Sequence, residues 1–392
     1  MPDEPSGRQH DREIAVELDS TGLSIGVERE ASDEEVIKAP FDPEKIDVTT
    51  RNPTVDLLLS RIRRRVLDLQ PDFQRFAGIW TQQAQSRLIE SMLLRIPLPT
   101  FYAAEAGDER WIIVDGVQRL TTIACFIDPE SVGAAPLVLK NLEYLGDDYE
   151  GRRFTELPGR FQTRLLETEV VVHLIRKGTP EPVMFNIFAR INTGGRPLTR
   201  QELRHALIPG PARALLQELA NSEAYQRATL GSVSPERMDD REMALRFIAF
   251  RLSKPTDYAR HDFDDFLRDA MHEVNRLAPE RVAQLQQEFA RAMDAARDIF
   301  GEYAFRKYYP DRSRRSPINK ALFEAVAVNL AQRSETELAI LRKCGDRVLE
   351  RLSRLILIPD FERAISLGTG DIRKVRLRFA WVDAMLTEAA NA

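Results

Sequence analysis

Apolar residues change their spacing twice along this chain, and the changes predict its organisation. Val55, Leu58, Leu59 and Ile62 recur at helical intervals behind Asn52-Pro53-Thr54, a helix-start signal. A second helical stripe, Leu88, Ile89, Met92 and Leu93, runs through SRLIESMLLRIPLP until Pro97 and Pro99 stop it. Between the two, RVLDL alternates like a short strand, and PDFQRFAGIW is a polar and aromatic loop. PTFYAAE, AGDE, RWIIVDG and QRLTTIACFI then read as strand, turn, strand and helix. Residues 137–175 supply further strand candidates, clearest in EVVVHLI, whose continuous β-branched run suits a strand buried on both faces. After Pro182 the period is helical: PVMFNIFARIN, LTRQELRHAL, PARALLQELAN, DREMALRFIAFRL, FDDFLRDAMHEVNRL, ERVAQLQQEFARAMDAARDIF, NKALFEAVAVNLA and ELAILRKCGDRVLERLSRLI. An α+β protein is expected, with a mixed α/β half over 46–205, an all-helical half over 206–392, and no internal repeat.

Residues 1–45 follow neither period. They hold 13 acidic and 5 basic residues, a charge of −8, against −5 for the whole chain, so 46–392 carry +3. An acidic, extended or poorly ordered leader is expected, acting as a solvated tail, a strip for a partner, or a cover over basic surface. The whole sequence is 43% apolar and 30% charged, and no apolar run approaches the roughly 20 residues of a membrane helix. MPDEPSGRQHDRE lacks the layout of a secretory signal, so the cytoplasm is the expected address and no membrane partner is expected. Cys125 and Cys344, without CxxC spacing, are expected to be reduced, with Cys125 in the core.

The sharpest chemical signal is WIIVDGVQRLTTIACF. A strand delivers Asp115-Gly116 to a turn, and a helix begins at once with Val117-Gln118-Arg119. Such a helix start presents backbone N–H groups and the positive end of the macrodipole, which suits phosphate. Gly116 lets backbone approach an anion, Arg119 offers a two-pronged charged contact, Gln118 orients it, and Asp115 holds a divalent cation or positions water. The same residues also fit a purely structural reading, with Asp115 capping the helix and Arg119 paired to it. Two more clusters offer neighbours. In PDFQRFAGIW, Gln74 and Arg75 sit among Phe73, Phe76 and Trp80, a mixture suited to stacking on a base and gripping phosphate, or to plugging a core. In FNIFARINTGGRPLTRQEL, Asn192-Thr193-Gly194-Gly195-Arg196 ends a helix, and Thr199 with Glu202 makes a capping box for the next. Capping does not require Asn192 or Arg196, and Asn192 suits a metal or a phosphate-bound water.

The ordered set PDFQR, Trp80, LIESMLLRIPLP, VDGVQRLTTI and FARINTGGRPLTRQELR resembles the DUF262 family, the N-terminal module of GmrSD-type modification-dependent restriction enzymes, over roughly 50–210. The resemblance implies a ParB/sulfiredoxin-like fold for 46–205, and binding or hydrolysis of a nucleoside triphosphate with Mg2+ through a DGQQR motif in defence against phage DNA. That motif falls on Asp115, Gly116, Val117, Gln118 and Arg119, and an FxxxN motif on Phe188 and Asn192. It implies catalytic roles for Asp115, Gln118 and Arg119, nucleotide contacts from Gln74, Arg75, Gly116, Arg119, Asn192 and Arg196, and metal contacts from Asp115 and Asn192. Val117 stands where the motif has its first Gln, which questions turnover rather than binding.

Relatives that cut DNA carry an HNH-type domain, which needs clustered histidines. This chain has His10, His173, His205, His261 and His272, with none after 272 and no HNH pattern, so a nuclease is expected on a separate effector protein. His261 and His272 are expected at the surface or half-buried. RIRRR at 61–65, DRSRR at 311–315 and IRKVRLR at 372–378 are candidate DNA-backbone contacts that equally fit solvated faces. The expected function is an NTP-binding, hydrolysing or merely switching, regulatory module of an anti-phage or restriction system. Its candidate partners are DNA, the effector and a second copy of itself. The alternative is a non-catalytic DNA- or protein-binding module whose pocket holds a backbone phosphate or an acidic partner.

Overall fold

The computed structural model describes residues 26–28, 45–69, 80–191, 198–260, 262–311 and 315–391. Val48–Arg51 (β1), Leu67–Asp68 (β2), Phe101–Glu105 (β3), Trp111–Asp115 (β4) and Val172–Ile175 (β5) form one sheet in the order β1-β5-β3-β4-β2. β1 with β5 and β3 with β4 run antiparallel, whereas β3 with β5 and β2 with β4 run parallel. β5 therefore lies inside the sheet, as its β-branched run requires, with Val172, Leu174 and Ile175 buried. β1 was not among the expected elements, since VTTR has no apolar alternation to announce it.

Alternation along the strands divides the sheet's two faces. Phe101, Ala103, Ile113, Val172 and Leu174 pack with Val55–Arg63, Gln82–Leu93 and Val117–Ile127, whose expected stripes are buried. Ala104, Val114 and Ile175 join the other cluster, which includes Phe188 and runs on to Ala389. The sheet is thus one wall of the helical half's core, and the helix Arg200–Leu207 rests against β4. Val27 of the leader is buried in that same cluster, paired in parallel with Ile318, and Glu28 bonds Lys307 at 2.7 Å and Asn319 at 3.1 Å. Among the described residues no helix is long and apolar enough to cross a membrane.

The strands expected ahead of β5 are replaced by turns and by the helices Gly146–Tyr149 and Gly159–Glu167. Side-chain capture of backbone donors explains this: buried Glu90 accepts the N–H groups of Glu143, Tyr144 and Leu145 at 2.7–3.0 Å, bending the segment that a ladder would need straight. Burial alone would raise the Glu90 pKa, and those bonds overcome it, holding the carboxyl below its ordinary range.

The helical half comprises Glu181–Ile191, Arg200–Leu207, Pro211–Asn221, Glu223–Thr229, Asp239–Leu252, Phe263–Val274, Pro279–Phe300, Lys320–Gln332, Glu335–Lys343, Gly345–Ile356, Pro359–Ser366 and Ile372–Asn391. ELAILRKCGDRVLERLSRLI makes two helices rather than the one expected. They separate at Gly345, where a Cβ would lie 2.7 Å from the Ile299 carbonyl oxygen. Both cysteines are free; Cys125 is half-buried against the α/β core, and burial pushes its thiol pKa up.

Every residue from Asp240 to Phe250 is buried, so the charges of this helix must be met inside the protein. Glu242 receives Arg246 at 2.7 Å and Lys320 at 3.2 Å; Arg246 reaches Glu324 at 3.4 Å; Glu324 in turn holds Arg378. Arg204 pairs with Asp264, which Arg268 also contacts. Two buried groups beside this network titrate in opposite senses. Burial, with Arg213 and Arg241 nearby, pushes His205 down to about 3 from 6.5, and burial pushes Asp240 up to about 6 from 3.8. Between 3.8 and about 6 the unfolded chain binds more protons at His205, so that residue makes stability fall on acidification. The fold binds more protons at Asp240, which makes stability rise. Each slope is up to about 1.4 kcal/mol per pH unit, and in the parent they oppose. Relative to the parent, His205→Gln is expected to gain unfolding free energy as pH falls across that window and Asp240→Asn to lose it. Urea titrations at several pH values read both slopes, and variants parallel to the parent would contradict the assignment.

Candidate functional site

β4 ends at Asp115, and Gly116 turns the chain at φ +93° before the helix Val117–Ile127 starts. Two features demand glycine. The left-handed backbone disfavours any Cβ, and a Cβ here would lie 2.4 Å from Phe101 Cδ1. The first intrahelical bond runs from the Leu120 N–H to the Gly116 carbonyl at 2.9 Å. The N–H groups of Val117, Gln118 and Arg119 therefore point out of the positive end of the helix.

Arg119 is committed inward. Its Nη2 donates to Asp115 Oδ2 at 2.9 Å and to the Thr100 carbonyl at 3.1 Å, its Nη1 donates to the Pro99 carbonyl, and the guanidinium lies 4.6 Å over the Phe101 ring. Its side chain is only 11% exposed, against 35% for Asp115. Burial lowers the Arg119 pKa, and the Asp115 charge works against that shift. The structural ion pair considered from sequence is therefore present, but Asp115 is not the cap; Gly116 occupies that position, without a side-chain bond. Arg119 ties the helix start to the entry of β3 and fixes one oxygen of Asp115.

Val117 is buried in the α/β core with Leu120, Ile123 and Ala124. The position at which this chain departs from DGQQR thus faces apolar side chains. Gln118 is half-buried on the first helical turn. Phe188 is buried in the core on the other side of the sheet. Gln74, Arg75, Asn192 and Arg196 lie outside the described residues, so of the expected constellation the structure brings together Asp115, Gly116, Gln118 and Arg119. The capping box expected of Thr199 and Glu202 is formed.

A row of polar and aromatic residues beside Asp115 was not expected from sequence. Register aligns Thr50 of β1 with His173 of β5, His173 with Tyr102 of β3, and Tyr102 with Asp115 of β4. The register shifts between Tyr102 and Ala103, which places Asp115 rather than Val114 opposite Tyr102. A cleft of about 340 Å³ lined by Ile62, Leu67, Arg110, Ser131 and neighbours lies at the other end of β4 and does not include the Asp115 turn.

Several side chains of the basic stretches are engaged within the protein. Arg61 donates to the Glu109 carbonyl at 2.8 Å and lies 4.2 Å over Trp111, and Arg63 pairs with Asp128 at 2.8 Å. Arg315 meets Glu302 at 3.4 Å, while residues 312–314 lie outside the description. In 372–378, Arg378 is fully buried, Arg376 donates to the Tyr258 carbonyl and Lys374 to the Leu367 carbonyl. His272 is half-buried against Glu181 at 2.9 Å, and His10 and His261 lie outside the described residues.

Residues 55–209 match the family model described as the GmrSD restriction endonuclease, N-terminal domain, a span that includes the whole Asp115–Arg119 turn. No curated protein and no solved structure matches the chain.

Proposed function

We propose that this chain, whose residues 55–209 match the GmrSD N-terminal domain, is a regulatory component of a DNA-restriction or anti-phage system that binds a nucleoside triphosphate at the Gly116 turn and acts through a separate effector. The observation that carries the reading is the turn itself: a strand end, a left-handed glycine and a helix start whose N–H groups face outward beside an Arg-held carboxylate. In this reading the N–H groups of the first turn and the macrodipole receive phosphate. Gln118 sits on that turn as an orienting group. Arg119 is a positioning residue, since its guanidinium nitrogens serve Asp115, Thr100 and Pro99 rather than an open fork. Gln74, Arg75, Asn192 and Arg196 remain the further contacts that this reading assigns to the nucleotide, within a ParB/sulfiredoxin-like arrangement of the α/β half.

Mg2+ fits the donor set in one form only. Among the described residues no three His, Cys, Asp or Glu side chains group to hold an ion, so Asp115 would share the cation with phosphate oxygens, water and Asn192. The cation would neutralise phosphate charge beside the carboxylate. Because Val117 points into the core, its departure from the motif removes nothing from the outward face of the turn, and hydrolysis becomes a question about Asp115 and Gln118.

Full-length protein is expected to unfold at a higher temperature with a nucleoside triphosphate and Mg2+, by about 2.7 kcal/mol of added stability at a hundred times Kd. Asp115→Asn keeps an acceptor for Arg119, so its melting without ligand should stay near the parent's while the Mg2+-dependent part of the stabilisation disappears. No stabilisation of the parent by any nucleotide at millimolar concentration would sink the reading.

A further inference from the structure

We infer that Tyr102 and His173 form the platform on which the nucleobase rests, an assignment that depends on the nucleotide reading of the Gly116 turn. The two side chains are adjacent in register on β3 and β5, with ring centroids 5.1 Å apart and planes at 45°. The His173 ring is held from behind: its Nδ1 shares a 3.0 Å hydrogen bond with the Thr50 hydroxyl, supplied by the neighbouring position of β1. That bond fixes the ring's rotation and leaves Nε2 as its remaining polar atom, which among the described residues has no hydrogen-bond partner.

Burial separates this pair from its neighbours on the same strands. Val172 and Leu174 flank His173, Phe101 and Ala103 flank Tyr102, and all four are buried, whereas His173 and Tyr102 are only half-buried and Thr50 is exposed. Tyr102 packs in part against the helical half's core, while the Thr50 hydroxyl that holds His173 is exposed. The register shift is the second feature. By putting Asp115 opposite Tyr102, it sets the platform one strand from the carboxylate and two from it at His173, about 5 and about 10 Å across the sheet. One sugar separates a base from its phosphates, so a single mononucleotide can lie along the row with phosphate at the helix start and base on the rings. Stacking on Tyr102 and His173 accepts any base, because every base has a π face. His173 Nε2 adds one polar contact at the base edge.

Calorimetric titration of the full chain with ATP, with GTP and with inorganic tripolyphosphate, each with Mg2+, tests this. Tyr102→Ala and His173→Ala are expected to weaken nucleotide binding about ten- to a hundredfold while leaving tripolyphosphate unchanged. Tyr102→Phe should bind nucleotide like the parent. His173→Leu fills the same space without a ring, so it should lose nucleotide affinity even if the alanine variant folds poorly. Parent-like nucleotide affinity in Tyr102→Ala and His173→Leu would overturn the platform and leave the phosphate site standing. Equal loss of both probes would overturn it too, since the pair would then support the sheet and not the base. A parent that binds neither nucleotide nor tripolyphosphate removes the nucleotide reading itself, and the platform with it.

Discussion

Arg378→Leu is expected to lower the unfolding free energy by about 3–5 kcal/mol, the cost of leaving a buried carboxylate without its partner. Glu324 and Arg378 are both fully buried, on Lys320–Gln332 and Ile372–Asn391, and Arg378 also donates to the carbonyls of Thr369 and Ala364. Leucine fills much of the space and satisfies none of these acceptors. Arg246 remains 3.4 Å from Glu324 but already serves Glu242 at 2.7 Å, so it compensates in part only. The double variant Arg378→Leu with Glu324→Leu should recover a measurable share of the loss, because the stranded charge is gone. Urea midpoints of the single and double variants read the difference. A single variant within about 1 kcal/mol of the parent would show that water reaches Glu324.

The same network marks what the sequence could not convey. DREMALRFIAFRL has apolar residues at helical spacing, which predicts a helix, with charged residues between them. The helix forms, but Asp240 to Phe250 are all buried: Glu242 takes Arg246 one turn on and Lys320 from Lys320–Gln332, and Arg246 reaches Glu324 on that same distant helix. Partners across such separations leave no local pattern. In IRKVRLR the same limit applies to one residue: Arg378 lies in the core, whereas Arg373 and Arg376 of the same run are exposed. Periodicity succeeded where burial is one-sided, as in Val55–Arg63 and Gln82–Leu93, and failed over 137–171, where Glu90 takes the backbone donors.

At the candidate site, chain order was enough to predict strand, turn and helix around Asp115, Gly116 and Val117. The direction of each side chain was not. Arg119 looked like a fork for an anion, yet the chain end of Leu98–Thr100 passes close enough to present two carbonyls, and the guanidinium closes on them. Val117 looked like a lost ligand, yet as the first residue of an amphipathic helix it falls on the face that carries Leu120 and Ala124. The Thr50, His173 and Tyr102 row depends on strand register, including a shift that no spacing in the sequence encodes.

Gly116→Ala carries the largest expected effect at the site, because it combines backbone and packing costs at the point where the helix starts. A left-handed φ costs an L-residue about 1–2 kcal/mol, and crowding in a filled core adds about 1–3 kcal/mol. Crowding applies because the new methyl would meet Phe101 Cδ1 at 2.4 Å and Cε1 at 2.9 Å, and the ring has nowhere to go. Phe101 is 1% exposed, packed in the α/β core beneath the Arg119 guanidinium. Moving it loosens the stack that holds Arg119, and with it the fixed oxygen of Asp115. Gly133 separates the two costs: its φ of +61° is also left-handed, but nothing lies within 4 Å of its would-be Cβ. Gly133→Ala should therefore show the backbone cost alone and bind nucleotide as the parent does, whereas Gly116→Ala should unfold at lower urea and lose nucleotide binding. Shortening the ring by Phe101→Leu in the Gly116→Ala background should return part of the stability without restoring binding, since the stack under Arg119 is still missing. Equal urea midpoints for Gly116→Ala and Gly133→Ala would mean that the turn does not rest on Phe101 as the structure has it.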